Sequence, residues 1–206
     1  MRGTICGKVL LASVSMIFGL STWGQGTDTN RVTPVRVDLA VTYNAERANL
    51  APSNCGCFWL NGASMEASIR YPHGFGLAAS VSGAHIANAA PGIDINRIVY
   101  LTGGRYTHAL AADPKANPAR KLDFFGQLLF GAAHGFGGAY PAAGGVTATA
   151  NSFAMQAGGG LNMPVTRRLG LRLLDAEYLF TALPNNASNE QNDLRLGAGL
   201  TYRLGK

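Results

Sequence analysis

The sequence predicts an all-β chain: an eight-stranded antiparallel up-and-down transmembrane β-barrel with a lipid-facing apolar exterior and a polar lumen. Three observations predict it. Large apolar side chains fall on alternate residues from Thr33 to the C-terminus. The charged residues share the opposite face with the smallest ones. The alternating segments run to roughly 11–13 residues, about twice the ~5–6 usual for soluble strands.

Alternation identifies strands, and side-chain size tells inside from outside. Near the start, Val35, Val37, Leu39, Val41 and Tyr43 alternate with Arg36, Asp38, Ala40 and Thr42. At the close, Leu194, Leu196, Ala198, Leu200, Tyr202 and Leu204 alternate with Arg195, Gly197, Gly199, Thr201 and Arg203. A soluble barrel or sandwich fills its interior with bulky apolar groups. Here the bulky row carries almost no charge, whereas Ser64, Ser68, Ala78, Ser80, Ser82, Gly158 and Gly160 lie on the charged face. Small and charged together suit a narrow, hydrated lumen, and the bulky row suits lipid. The reverse facing would put Arg36, Asp38, Glu66, Arg172 and Arg195 into hydrocarbon. At roughly 2–4 kcal/mol for each basic group near the midplane, a handful would exceed the ~5–15 kcal/mol that holds a domain together.

The chain has 206 residues, which fits one domain. Residues 1–24 read as a signal peptide. Arg2 and Lys8 precede the apolar run from Val9 to Leu20, and Ser21, Thr22 and Gly24 close it. About 12 apolar residues are too few for the ~20 of a spanning helix. Residues 25–206 then form the barrel domain, and any span is built of strands. The formal net charge of +6 falls by two when Arg2 and Lys8 leave with the leader. No basic run remains, which excludes nucleic acid as the expected partner.

The strands are expected at 34–46, 58–71, 75–86, 95–107, 121–134, 151–163, 168–180 and 192–204. At ~3.4 Å per residue and ~45° tilt, 11 residues rise about 26 Å, close to the ~25 Å apolar band of an outer-membrane barrel. Connections alternate in length. The segments from Tyr71 to Gly74 and from Met163 to Arg167 are short; those from Glu46 to Cys57, Ala87 to Asp94, Gly135 to Ala150 and Thr181 to Gln191 are longer. The short ones read as periplasmic turns and the long ones as outer loops. The connection from His108 to Arg120 is long for a turn and, with Pro114 and Pro118, reads as a rigid excursion. Aromatic residues gather near strand ends. Tyr71, Phe75, Tyr106, Phe124 and Tyr202 mark one interface, and Tyr43, Trp59, Phe130, Phe153 and Phe180 the other.

These features resemble the small eight-stranded outer-membrane barrels similar to the OmpA transmembrane domain. The segment from Leu196 to Gly205 is similar to that domain's last strand. The stretches Gly103–Tyr106, Phe124–Gly131 and Leu171–Leu179 resemble the version found in bacteria such as Acidobacteria. The resemblance covers roughly residues 33–205 and implies residence in the cell outer membrane as a monomer. Its implied partners are outer-membrane lipids and the barrel-assembly machinery. Two features depart from the pattern: the chain closes on Leu204, Gly205 and Lys206 without a terminal aromatic, Tyr202 standing in for it, and no peptidoglycan-binding domain follows.

The inward charges are the candidate functional residues: Arg36, Asp38, Glu66, Arg70, Arg105, Lys121, Asp123, Arg172, Asp175, Glu177, Arg195 and Arg203, with Gln127 among them. Asp175 and Glu177 fall out of phase with Arg172, and a bulge at Leu173 and Leu174 would turn them inward. Confined charges must be paired or wet, so acid–base ladders are expected across the lumen. The expected function is a structural barrel with a charged, largely plugged lumen and outward loops for an unnamed partner. A narrow, low-conductance pore and a barrel-type lipid-modifying enzyme are the alternatives. Of the four histidines, His85 follows Ser82 by three on one strand with opposite facing, and no carboxylate falls beside them. No catalytic set is therefore expected, and neither metal nor cofactor. Cys55 and Cys57, near the first outer loop, form either a strained disulfide or two free thiols.

Overall fold

The computed structural model describes residues 35–49, 57–90, 93–110, 122–185 and 189–204. Eight strands follow one another: β1 (Arg36–Asn49), β2 (Cys57–Arg70), β3 (Phe75–Ala90), β4 (Ile93–Ala109), β5 (Asp123–Ala142), β6 (Gly145–Pro164), β7 (Leu169–Thr181) and β8 (Gln191–Leu204). Each pairs antiparallel with its neighbour in sequence, and β1 pairs with β8 to close the barrel. Closure leaves no unpaired strand edge.

One end of the barrel holds the start of β1, the end of β8 and the connections β2–β3, β4–β5 and β6–β7; we call it the terminal end. The other end is the far end. At the terminal end the β2–β3 turn is tight. Pro72 fixes its first corner, His73 takes φ 72° and ψ 7°, and the Gly74 amide donates to the Tyr71 carbonyl at 3.3 Å. This is type II-like geometry, in which the second corner needs positive φ. Gly74 follows at φ 89°, and a Cβ there would strike the Thr107 carbonyl of β4. At the far end the strands outrun the sequence expectation. The stretch from Gly135 to Ala150, expected as a loop, is mostly strand: β5 and β6 each run 20 residues, joined by a two-residue turn. The expected loop from Ala87 to Asp94 shrinks likewise, because Ala90 pairs with Ile93. Hairpin pairing there satisfies backbone groups that a Gly-rich and Ala-rich composition had marked as loop.

The two faces separate by alternation. Leu39, Met65 and Leu196 point outward, with 38%, 67% and 40% of their surface exposed. Among the described residues, the outward positions of the strands hold no Asp, Glu, Lys or Arg except Arg47 and Asp94, at the far ends of β1 and β4. Tyr71, Phe75, Tyr106, Phe124 and Tyr202 are exposed at the terminal end, and Tyr43, Trp59, Phe130 and Phe153 above them. Each far-end hairpin adds an outward pair of a ring and an asparagine. These are Tyr43 with Asn61, His85 with Asn96, His134 with Asn151, and Tyr178 with Asn192.

Inward positions are filled by size matching. Gly158 lies in register between Gln127 and Glu177, and Gly160 between Phe125 and Asp175. A Cβ on Gly158 would meet the Glu177 Cγ at 3.0 Å, and one on Gly160 the Phe125 ring at 2.9 Å. Glycine thus makes the room that a large neighbour occupies, as narrow barrels require. The lumen is not polar throughout. Val99, Leu101, Leu129, Ala133, Ala154 and Leu179 form a buried apolar patch on the β4–β7 wall.

Candidate functional site

Strand phase sends charged side chains into the lumen from β1, β2, β4, β5, β7 and β8. They collect in three layers. At the rim of the terminal end, Arg203 Nε donates to Asp38 Oδ1 at 3.1 Å and its Nη2 lies 3.7 Å from Asp123. Arg70 approaches the same two carboxylates at 3.9 and 3.8 Å. Two arginines and two acids therefore alternate around the mouth.

The middle layer is built on Glu66. Arg172 Nη2 donates to it at 2.7 Å, Arg105 donates to the same oxygen, and Gln127 Nε2 donates to its other oxygen at 2.9 Å. Arg172 also reaches Asp175 at 2.9 Å and Asn162 at 3.2 Å. Both guanidiniums lie over the Phe125 ring, 3.8 and 4.6 Å from its centre. The aromatic face takes up positive charge where water is thin. A bulge makes the layer reachable. Arg172 pairs with Gly199 and Asp175 with Gly197, so Leu173 and Leu174 both turn outward while their neighbours stay in the lumen.

The third layer lies toward the far end. Glu46 accepts from Arg195 Nε and Nη2 at 3.2 and 3.1 Å and pairs with Arg97. Arg97 Nη1 donates to Asp193 at 2.7 Å. Glu177 joins this layer to the middle one. It accepts from Gln127 at 2.9 Å and Gln156 at 2.6 Å, and lies 3.5 Å from Arg195. A cavity of about 240 Å3 opens above Arg97 and Asp193, walled by Leu60, Tyr140 and Leu183. On the other side, about 30 Å3 separates the rim from the middle layer, room for roughly two waters.

Of the sequence-predicted residues, the structure brings Asp38, Arg70, Asp123 and Arg203 together at the rim. It brings Glu66, Arg105, Gln127, Arg172, Asp175, Glu177 and Arg195 together within the lumen. Arg36 stands apart: it starts β1, is exposed at the lip, and joins none of the layers. Lys121 and Cys55 fall outside the described residues, as do residues 1–24, and of Cys57 only its place at the start of β2 is described. Glu46, Arg97, Gln156 and Asp193 were missed. Their signal was present: Glu46, Arg97 and Asp193 share the inward phase of Asp38, Arg105 and Arg195 on their own strands, and Gln156 shares that of the small residues Gly158 and Gly160. Glu46, Arg97 and Asp193 sit near the ends of the predicted segments, and those strands run further than predicted, whereas Gln156 falls in the middle of its segment.

His85 and His134 stand on the opposite face from Ser82: they lie on the outer surface, 2.8 and 2.7 Å from Asn96 and Asn151, while Ser82 is buried on the lumen side. Among the described residues, no group of three or more His, Cys, Asp or Glu is arranged to hold a metal ion.

No protein-family model and no curated protein matches the chain. Solved structures do. Ail, the attachment invasion locus protein of Yersinia pestis, in complex with the heparin analogue sucrose octasulfate, aligns with TM-score 0.53 at 14% identity, over 82% of this chain and 99% of Ail. Neisserial surface protein A aligns with TM-score 0.55 at 16% identity, over 81% of this chain and 96% of that one. At these identities the likeness is one of fold, the small closed eight-stranded antiparallel barrel.

Proposed function

We propose that this chain is a structural outer-membrane barrel whose lumen is plugged by its own side chains. The terminal end faces the periplasm in this reading, and the far-end hairpins face outside. The observation that carries it is the contrast between the faces of every strand. The outward row is bulky and, between its aromatic ends, uncharged, which lipid accepts and water would not. The inward row pairs its charges about Glu66 and Glu46, with a space of about 30 Å3 on one side and one of about 240 Å3 on the other. The barrel is an exported protein released from its leader near Gly24, with outer-membrane lipids and the assembly machinery as its partners.

The test has two parts. In detergent, the unheated protein should migrate as a compact band that heating converts to the full-length position; a single band under both conditions would remove the barrel. In planar bilayers, the wild-type protein should pass no resolved current.

A narrow pore is the second reading, and one observation favours it. Glu66 is shared by two arginines from different strands, so exchange of partners could open a path without moving the backbone. Steady single-channel current that changes on Glu66→Ala would select this reading. For an outside partner, the far end offers Arg47 alongside Asp94 and Glu190 among the described residues. That mixture does not suit a polyanion such as the heparin analogue bound by Ail.

A further inference from the structure

The lip of the terminal end carries one arginine, Arg36, that joins none of the ion-pair layers, beside Arg70, which the rim layer holds only at long range. Arg36 and Arg70 are direct cross-strand partners in the β1–β2 register. Like charges placed opposite each other destabilise a strand pair unless something of opposite sign compensates them. Among the described residues, Arg70 has only the long contacts at 3.9 and 3.8 Å to Asp38 and Asp123, and Arg203 competes for both acids. Among the described residues, Arg36 has no carboxylate within ion-pair distance.

These two arginines open onto a cleft of about 350 Å3, which Tyr71, His73, Tyr106 and His108 also line. The β2–β3 turn forms one wall, with His73 held at its positive-φ corner and Gly74 pressed against the end of β4. Tyr106 stacks on His108 at 6.4 Å and meets Phe75 at 5.0 Å, so the cleft runs directly into the outward aromatic belt. Phe75 and Leu77 continue that belt, 65% and 55% exposed. Arg167 and Arg168 add exposed cations in the β6–β7 turn of this end.

A cleft with guanidinium and imidazole groups at one side and an apolar belt at the other fits a ligand that is anionic at its head and apolar below. We propose that it binds the phosphodiester headgroup of an anionic phospholipid in the adjoining leaflet. Arg36, Arg70 and His73 hold the phosphate oxygens, and the acyl chains lie along Phe75 and Leu77. The proposal rests on the outer-membrane reading above. Forked guanidinium donors suit phosphate oxygens, and cations at a membrane surface favour anionic lipid. The apolar belt beside the cleft is what separates a lipid from a free phosphate as the occupant.

The test uses the full chain purified from membranes in detergent. Native mass spectrometry would measure retention of phosphatidylglycerol against phosphatidylcholine with the same acyl chains. Phosphatidylglycerol should be retained preferentially, with inorganic phosphate unable to displace it. Arg36→Gln should weaken that retention roughly fivefold, about 1 kcal/mol for one basic group at the surface. Arg36→Gln with His73→Ala should weaken it further, and Arg47→Gln at the far end should leave it unchanged. Equal retention of the two lipids, wild-type retention by Arg36→Gln, or displacement by inorganic phosphate would each overturn the proposal. The heat-shifted band, run on every sample, separates the two failures. Its loss in the wild type strikes the barrel itself, whereas a folded barrel without lipid preference strikes the headgroup site alone.

Discussion

The middle and far layers of the lumen use the same residue types to opposite effect. In the middle layer, Arg105 and Arg172 share Glu66 and lie over Phe125, with Asp175 as the second acid. Charge balances there, and the hub is an anion. In the far layer, Arg97 and Arg195 serve Glu46, Asp193 and Glu177. Acids outnumber arginines, no aromatic ring among the described residues lies over the guanidiniums, and the hubs are cations. A buried ion pair is not stabilising in itself; its removal costs according to what is left uncompensated. The two layers should therefore respond to opposite substitutions.

The largest effect should come from Glu66→Ala, which strips the hub from two buried arginines. It should cost about 3–5 kcal/mol in urea unfolding from detergent or lipid, followed by the heat-shifted band. Arg97→Met should cost about as much for the mirror reason, because Glu46 and Asp193 lose a shared cation. Glu46→Gln should be milder, about 1–2 kcal/mol, since Arg97 keeps Asp193 and Arg195 keeps Glu177. If Glu46→Gln proves costlier than Arg97→Met, the excess of acid in the far layer has no energetic meaning. Phe125→Leu should have the smallest effect, about 1 kcal/mol. Its cost should shrink in the Glu66→Ala background if the ring acts through the guanidiniums, which a double-mutant cycle would measure. Simple additivity would reduce Phe125 to packing.

Much of the middle layer was legible in the chain. Glu66, Arg105, Gln127 and Arg172 all fall on the inward phase of strongly alternating segments. The Leu173–Leu174 doublet marks where the phase slips, and that slip alone is enough to turn Asp175 and Glu177 inward. The far layer was harder to read. Arg97 shares the phase of Arg105, and Asp193 that of Arg195, yet both stand where a strand was expected to begin. Glu46 stood where β1 was expected to end, but the strand continues to Asn49 and encloses it. Gly-rich and Ala-rich stretches such as Gly135–Ala139 hide strand beneath a loop-like composition, because backbone pairing needs no bulky side chain. Arg36 shows the converse: its phase is inward, but only its position at the lip decides that it meets no acid among the described residues.

Alternation, side-chain size and segment length determined the strand number, the order and the facing of each row. These properties follow from a period of two and from the solvent each row must meet, and both are local to the chain. Which arginine meets which acid was decided only on closure. Glu66 on β2 reaches Arg105 on β4 and Arg172 on β7, residues that no local periodicity brings together. Closure fixes the stagger of the strands and the width of the lumen. Those two dimensions set which charges lie within a hydrogen bond of each other, and which remain at the lip.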